Sequence, residues 1–321
     1  MPHTPPTGVC EGRYRRPIAG EWSAMLVDEQ FRKSVAFLYA DVPDPETGIV
    51  ERTPIGTAFF FGVRDDLRPD IQIPYLVTNA HVVNSSRPYG PLYMRMNLLP
   101  GFPTTYIDKP ISSDAWWQHD STDVALARIT SLHGMWDHVF ILDDMLATAE
   151  KVQQKGIGVG DDVFFAGLFS RHPGQERTQP IIRFGLISMM PHERIAVELA
   201  PKTTPVMVEA YLIEARSWGG HSGSPAYIHF PPTRDGINIQ LASRADSHPL
   251  LLGIVSGHFD IQRPVTLADT VARAGSAAMN AGIAIVIPAQ AIRDLADRED
   301  VVEDRQDVVQ EVLRQRERKS L

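Results

Sequence analysis

The chain has 321 residues, of which 43% are hydrophobic and 22% are charged, as in an ordinary globular protein with a large core. Its net charge of −8 argues against a nucleic-acid partner, because proteins that bind nucleic acids usually present a basic surface. Its one cysteine, Cys10, excludes an intramolecular disulfide, so the fold does not require an oxidising compartment.

The N-terminal segment differs in composition from the rest of the chain. Residues 1–20 are rich in proline, arginine and small polar residues, and we predict a disordered arm there. This segment has no apolar stretch of the kind found in secretory signals, and the apolar run Gly282–Pro288 is too short to span a bilayer. We therefore expect a cytoplasmic protein with no membrane partner. Residues 21–33 fit either a short helix or a coil that leads into the first strand.

The central part of the chain consists of short apolar segments, rich in β-branched and aromatic residues, that are separated by turn-forming residues. The 25 prolines and 23 glycines of the chain favour frequent turns over long helices. The predicted strands are Ser34–Tyr39, Ile55–Val63, Tyr75–Thr78, Leu92–Leu98, Val124–Ile129, Asp162–Gly167, Ile181–Met189, Val206–Ala215, Ala226–Phe230, Leu250–Ser256 and Ile283–Ile287. This pattern predicts an all-β fold built as a sandwich or as barrels.

The sequence changes character after Pro288. It then contains helix-forming residues, no glycine and no further proline, and apolar residues recur at Val301, Val308 and Val312. Acidic residues dominate the first half of this stretch and basic residues its end, which suits the dipole of a helix. We predict a helix packed on the β structure, followed over residues 297–321 by a charged helical tail that is a candidate for self-association.

Three segments beside predicted strands carry residues that can act together. His81 lies in the sequence YLVTNAHVV, Asp123 in STDVALARI and Ser222 in WGGHSGSPAY. A serine hydroxyl is a weak nucleophile without an adjacent base, and histidine, with an ordinary pKa of about 6.5, suits that role. A carboxylate fixes the tautomer of the histidine and stabilises its charged form. The three residues therefore predict a Ser-His-Asp catalytic triad.

Other residues compete for these roles. Asp123 is preferred over Asp120 because it directly precedes an apolar Val-Ala-Leu run. His119 and His221 are rivals of His81, but neighbours in a tight turn rarely face each other, so we expect His221 to be a solvent-facing loop residue. The histidines are scattered, with no HExxH motif and no Cys/His cluster, so the sequence predicts no metal and no cofactor.

The same three segments resemble the signatures of the trypsin-like (chymotrypsin-fold) serine proteases. Thr78–Val83 is similar to the histidine signature of that family, Thr122–Leu126 to its aspartate signature and Gly220–Pro225 to its serine signature. The resemblance is strongest to the disulfide-free bacterial branch that includes the HtrA-type proteases, here without a PDZ domain. Weaker similarity extends from about residue 34 to residue 295.

This resemblance implies a fold. The chain would form two six-stranded antiparallel β-barrels with the active site between them, plus a C-terminal helix. The N-terminal barrel, residues 21–150, would carry His81 and Asp123. The C-terminal barrel, residues 151–296, would carry Ser222. The order His, Asp, Ser also argues against an α/β-hydrolase, in which the serine comes first.

The resemblance also implies roles for the residues. Ser222 would attack a peptide carbonyl, His81 would accept and return the proton, and Asp123 would orient His81. The backbone N–H groups of Gly220 and Ser222 would form the oxyanion hole. Two alternatives remain open, namely a non-catalytic homologue that binds peptides and a homologue that a partner activates.

Two positions depart from the family pattern. Ser224 stands where a second glycine usually follows the nucleophile, which puts the geometry of this loop in question. His221 stands where trypsins that are activated by cleavage have an aspartate, so that route of activation is not expected here.

Substrate preference is predicted less sharply. The resemblance places substrate-binding residues at Ser256, Gly257 and His258, and the primary pocket near Arg216 as well. No aspartate lies where a pocket for basic side chains would have one. We expect a protein or peptide substrate that is cut after a small or medium apolar side chain.

Overall fold

The computed structural model describes residues 27–130, 134–198, 204–217, 219–230, 249–262 and 278–320. The backbone alone is described at 259–262, 278–281 and 319–320. The arm predicted over residues 1–20 lies outside the described residues.

The N-terminal half of the described chain folds into one eight-stranded sheet. Its strands are β1 (Val35–Pro43), β2 (Val50–Arg64), β3 (Gln72–Thr78), β4 (Leu92–Asn97), β5 (Tyr106–Ile111), β6 (Trp116–Gln118), β7 (Ala125–Arg128) and β8 (Ile141–Leu142). They follow the order β5-β4-β1-β2-β3-β7-β6, and β8 pairs with β2. The pairs along this order are antiparallel, whereas β8 runs parallel to β2.

The C-terminal half contains a closed barrel of six strands in the order β10-β13-β16-β15-β14-β9, beside a two-stranded sheet of β11 and β12. The strands are β9 (Asp162–Gly167), β10 (Ile181–Met189), β11 (Arg194–Val197), β12 (Val206–Glu209), β13 (Tyr211–Glu214), β14 (Pro225–Ile228), β15 (Leu250–Gln262) and β16 (Ala278–Pro288). All pairings within the barrel are antiparallel.

Three hydrophobic clusters show how each half is packed and how the two halves meet. One face of the N-terminal sheet buries side chains such as Phe60 and Leu76, and the interior of the barrel buries side chains such as Phe165 and Ile213. Because side chains alternate along a strand, the opposite faces are apolar as well. These faces meet in a shared cluster that includes Phe59, Tyr75, Val77, Tyr227, Ile254, Ile285 and Ile287.

Five α-helices lie within the described ranges, and two of them close the fold at its C-terminal end. They are α1 (Glu29–Lys33), α2 (Ala80–Ser86), α3 (Ala149–Gln154), α4 (Ala289–Ala296) and α5 (Glu299–Ser320). Ile292 of α4 and Val301 of α5 are fully buried in the cluster shared by the two halves. Arg128 of β7 pairs with Asp304 at 2.7 Å, which ties α5 to the N-terminal sheet. No helix in the described ranges is both long and apolar enough to cross a membrane.

The predicted all-β fold with a C-terminal helix is confirmed, and the C-terminal barrel has the predicted six antiparallel strands. The N-terminal unit differs in detail, since its sheet has eight strands and includes the parallel pair β2–β8. The additional pairings involve β6 and β8, which have only three and two residues. Strands this short are fixed by their tertiary neighbours, because they are too short to show an alternating pattern.

Candidate active site

His81 is held at the point where β3 gives way to α2. It is the second residue of α2, and Val82 and Val83, which follow it, are buried and fix the helix in the N-terminal core. Asn79, the N-cap residue of α2, is fully buried and donates from Nδ2 to the carbonyl oxygen of Asp123 at 2.8 Å. A buried hydrogen bond from the Asn79 side chain to the Asp123 backbone therefore joins the histidine segment to the aspartate segment.

The Asp123 carboxylate lies against His81 and is buried, with 2% of the residue exposed. Oδ1 accepts a hydrogen bond from the His81 backbone N–H at 2.9 Å, and Oδ2 lies 2.7 Å from His81 Nδ1. The Ser256 hydroxyl also donates to Oδ2, at 2.5 Å. A carboxylate at Nδ1 favours the tautomer in which Nδ1 carries the proton and Nε2 is free to accept another.

Two of the three rivals named from the sequence, Asp120 and His119, lie away from this pair. Asp120 is exposed, and its carboxylate lies 3.4 Å from Arg298, which is next to the start of α5. His119 accepts a hydrogen bond from the Ser121 backbone N–H through Nδ1 at 3.2 Å. Asp123 and His81 are therefore the carboxylate and imidazole that the fold brings together.

Ser222 lies on the C-terminal barrel, between β13 and β14, and Ser256 of β15 contacts both Ser222 and Asp123. Its hydroxyl donates to the backbone carbonyl of Ser256 at 3.1 Å. No hydrogen bond between Ser222 Oγ and His81 occurs among the described residues. Ser256 occupies an irregularity in the pairing of β15 with β16, between Val255 and Gly257, which frees its carbonyl from the ladder. A change of the Ser222 χ1 rotamer would redirect the hydroxyl.

The loop around Ser222 contains two glycines whose backbone conformation favours glycine. Gly220 has φ +100° and Gly223 has φ +90°. A Cβ on Gly223 would lie 1.8 Å from the carbonyl oxygen of Thr57, so this position also lacks space for a side chain. Within the described part of the chain, the N–H groups of Gly220 and Ser222 have no backbone acceptor, as donors of an oxyanion hole require.

Thr57 of β2 clamps the Ser222 loop, a role that no sequence pattern predicted. Its backbone N–H donates to the Ser222 carbonyl at 2.8 Å, and its hydroxyl donates to the Gly220 carbonyl at 2.7 Å. The same hydroxyl accepts from the backbone N–H of Leu168 at 2.9 Å. Thr78 adds a hydrogen bond to the Thr57 carbonyl at 2.7 Å. One buried residue of the N-terminal sheet thus positions the loop of the C-terminal barrel.

We expect Thr57→Val to lower the free energy of unfolding by about 2 kcal/mol, because it leaves the Gly220 carbonyl and the Leu168 N–H without their partner. The change should also slow the reaction of Ser222 with an active-site label, since the loop loses its clamp. Chemical denaturation and labelling rates measure the two effects. Thr57→Ser keeps the hydroxyl and should stay close to the wild type, so equal losses in both variants would contradict the role of the hydrogen bonds.

The side chain of Ser224 fits its loop because a glycine on β9 leaves space for it. Its side chain is fully buried, and the place that a Cβ on Gly167 of β9 would occupy lies only 1.9 Å from Ser224 Oγ. Gly167 therefore provides the space that the hydroxymethyl group fills. The departure from the family pattern at Ser224 is matched by a glycine 57 positions earlier in the chain.

His221 is not the solvent-facing residue that the sequence predicted. It is fully buried, its ring packs edge-on against Phe165 at 5.3 Å between centroids, and its Nδ1 lies 3.4 Å from Ser217 Oγ. The physical reason is the tight turn at the nucleophile. Ser222 is half-buried, whereas the residue before it is directed into the barrel, where its ring meets Phe165. Burial, together with the smaller effect of the positive charges of Arg183 and His258, lowers the pKa of His221 to about 4.

The low pKa of His221 predicts a loss of stability in acid. Its folded pKa of about 4 lies below the ordinary value of 6.5, so the unfolded chain binds this proton more readily. Stability should be fully present above pH 6.5 and fall as the pH decreases toward 4, by about 3 kcal/mol in total. Denaturation of wild type and His221→Asn across this window measures the effect. His192→Asn, at an exposed histidine, is the control. If the stability of His221→Asn falls with decreasing pH as steeply as that of the wild type, the assignment of this acid sensitivity to His221 is wrong.

The predicted substrate-binding strand is β15. The Ser256 hydroxyl is hydrogen-bonded to Asp123, so any contribution of Ser256 to substrate binding would come from its backbone. Gly257 pairs with Ile285 and His258 with Ala284 on β16, beyond the irregularity at Ser256. Ser256 contacts Ser222 through its backbone carbonyl, and Gly257 and His258 follow it along β15. The part of these three residues in substrate binding stays a prediction.

One closed six-stranded barrel packs against an eight-stranded sheet, which agrees with the all-β architecture of two units that the resemblance implied. The first unit supplies His81 and Asp123 and the second supplies Ser222. This division of residues between two β units is the architecture that the resemblance implied.

Comparisons with known proteins add the following. No protein-family model matches the sequence, and no curated protein matches it significantly in sequence. Among solved structures, the chain is similar to the MamO protease domain from Magnetospirillum magneticum, with 15% identity and a TM-score of 0.45, over 83% of this chain and 96% of that chain. It is also similar to the active form of the Rv3671c protease from M. tuberculosis, with 19% identity and a TM-score of 0.44, over 83% of this chain and 80% of that chain. At this level of similarity, the assignment of the fold depends on the strand topology and not on these structures.

Proposed function

We propose that the chain is a serine endopeptidase with His81, Asp123 and Ser222 as its catalytic triad. The observation that carries the proposal is the buried Asp123 carboxylate, which accepts hydrogen bonds from both the backbone and the ring of His81 beside the Ser222 loop. Burial of a charge is costly unless the charge is well paired, and here the pairing at Nδ1 leaves Nε2 of the histidine to accept a proton.

The reaction would proceed through an acyl-enzyme. Ser222 Oγ turns from the Ser256 carbonyl toward His81, and forms a bond to the substrate carbonyl carbon while its proton passes to Nε2. The N–H groups of Gly220 and Ser222 stabilise the oxyanion. His81 then gives the proton to the leaving amine as the C–N bond breaks. Water attacks the ester, its proton passes to His81, and the acid leaves as Ser222 regains a proton.

A protein that a partner activates is the second candidate. One observation favours this candidate: the Ser222 hydroxyl donates a hydrogen bond to the Ser256 carbonyl and not to His81. In that case, a partner or a substrate would supply the rearrangement that turns the hydroxyl toward the base. A protein or peptide substrate and a cytoplasmic location remain proposals from the sequence.

Labelling with a fluorophosphonate, followed by mass-spectrometric mapping of the modified residue, tests this function. We expect modification at Ser222 in the wild type and in His119→Ala, and its loss in folded His81→Ala. Folded wild type that is not labelled would contradict the endopeptidase proposal. Labelling that arises only after removal of residues 1–20 or 298–321 would instead support activation by a partner.

A further inference from the structure

An arginine on β10 is directed toward the interior of the C-terminal barrel. Arg183 lies on β10 two residues before Gly185 and four before Ile187, whose side chain is buried in the barrel core. Alternate residues of a strand share a face, so Arg183 is directed into the barrel as Ile187 is. Its partner across the strand pair is Phe165, which belongs to the same core. Side chains of directly paired residues lie side by side.

Phe165 connects Arg183 to the nucleophile loop. The ring of Phe165 contacts the ring of His221, with 5.3 Å between centroids, and His221 directly precedes Ser222. Arg183 and His221 therefore flank the same aromatic ring. The lowering of the His221 pKa by the charge of Arg183 agrees with this arrangement.

Arg183 has no counter-ion within the described part of the chain. Its Nε is buried without a hydrogen-bond partner, and no described carboxylate forms an ion pair with its guanidinium. Other arginines that pack against the fold are paired, as Arg95 is with Asp108 at 2.6 Å. An unpaired, partly buried cation is costly to keep, so the geometry indicates that an anion completes the pairing.

A second basic group lies on the same side of the barrel. His258 pairs with Ala284 on β16, and Ala284 is two residues from Val286, which is part of the barrel core. His258 therefore shares the interior face, two residues beyond Ser256. The charges that lower the His221 pKa are those of Arg183 and His258, so both basic groups lie within electrostatic reach of the nucleophile loop.

We infer that this end of the barrel is the pocket for the substrate side chain that precedes the cut bond, and that Arg183, with His258, selects aspartate or glutamate there. The inference rests on the proposed function. A guanidinium binds a carboxylate through two parallel hydrogen bonds, which gives both affinity and geometric selection. The bound carboxylate would neutralise Arg183 and lie in a region of low dielectric constant, where a neutral side chain gains no such attraction.

This preference differs from the apolar one expected from the sequence. Arg216, the basic residue that the sequence placed near the pocket, is exposed in the structure. Arg183 lies 39 residues before Ser222, and only the pairing of β10 with β9 brings it to the nucleophile loop.

Cleavage of matched peptides that differ only in the residue before the cut bond tests the inference. We expect the wild type to cleave after glutamate on the order of 100-fold faster in kcat/KM than after glutamine. Arg183→Gln should remove most of this ratio, and Arg183→Glu should shift cleavage toward lysine and arginine. Arg183→Lys keeps the charge and should keep a preference for the anionic peptide, while Arg171→Gln, at an exposed arginine, is the control.

The wild type alone separates this inference from the proposed function. Labelling at Ser222 together with equal cleavage after glutamate and glutamine, or with cleavage mainly after apolar residues, would overturn the anionic pocket and leave the protease intact. Absence of labelling would overturn the protease and the pocket together. A preference for glutamate that Arg183→Gln and Arg171→Gln both retain would assign the selection to groups other than Arg183.

Discussion

Asp123→Asn is expected to lower kcat for peptide cleavage about 10⁴-fold without unfolding the protein. An amide at this position can donate to His81 Nδ1, so the imidazole would carry its proton on Nε2 and could not accept the proton of Ser222. The substitution also removes the negative charge that stabilises the imidazolium. Steady-state kinetics on a peptide substrate, with circular dichroism to confirm folding, measures the effect.

Asp120→Asn is the matched control for this prediction. Asp120 is exposed and three residues from Asp123, so its replacement should leave kcat within about twofold of the wild type. A fall of less than about tenfold in Asp123→Asn would show that the carboxylate does not orient the base, and would contradict the assigned role.

Gly167→Ala is expected to destabilise the protein by about 3 kcal/mol or more. The added Cβ would lie 1.9 Å from Ser224 Oγ and 3.2 Å from Thr57 Oγ1. Both neighbours are fixed, because Ser224 is buried in the nucleophile loop and the Thr57 hydroxyl is bonded to Gly220 and Leu168. Thermal and chemical unfolding measure the loss, and the displaced loop should also lower the rate of labelling at Ser222.

Two further variants isolate the cause. Gly167→Ala combined with Ser224→Gly removes the clashing hydroxymethyl group and should recover most of the lost stability. Gly158→Ala introduces a Cβ with nothing within 4 Å, at a position without positive φ, and should change the stability by no more than about 0.5 kcal/mol. If Gly167→Ala is as stable as Gly158→Ala, the close approach of Ser224 to Gly167 is wrong.

The sequence predicted the elements that have a local pattern. Strands such as β9 and β10 begin and end at the predicted residues because their β-branched and aromatic residues lie between turn-forming ones. The run Val206–Ala215 was predicted as one strand, but the structure divides it at Ala210 into β12 and β13. Each part pairs with a different partner, and a local pattern does not reveal a change of partner.

The residues of the candidate site also divide into those that a local sequence pattern identifies and those that it does not. His81 and Asp123 could be identified because each lies beside an apolar strand in a recognisable segment, and the structure brings them together. The clamp at Thr57 could not be predicted, because its hydroxyl contacts Gly220 across 163 positions of sequence. The burial of His221 depends in the same way on Phe165, which reaches the loop only after the barrel has closed.

The most direct test of the central claim is the cleavage of a peptide library by wild type and Ser222→Ala, with the products identified by mass spectrometry. We predict that the wild type cleaves a defined set of peptide bonds and that Ser222→Ala, folded to the same degree, loses this activity by about 10⁵-fold or more. Cleavage of the same bonds at a comparable rate by Ser222→Ala would contradict the assignment of Ser222 as the nucleophile.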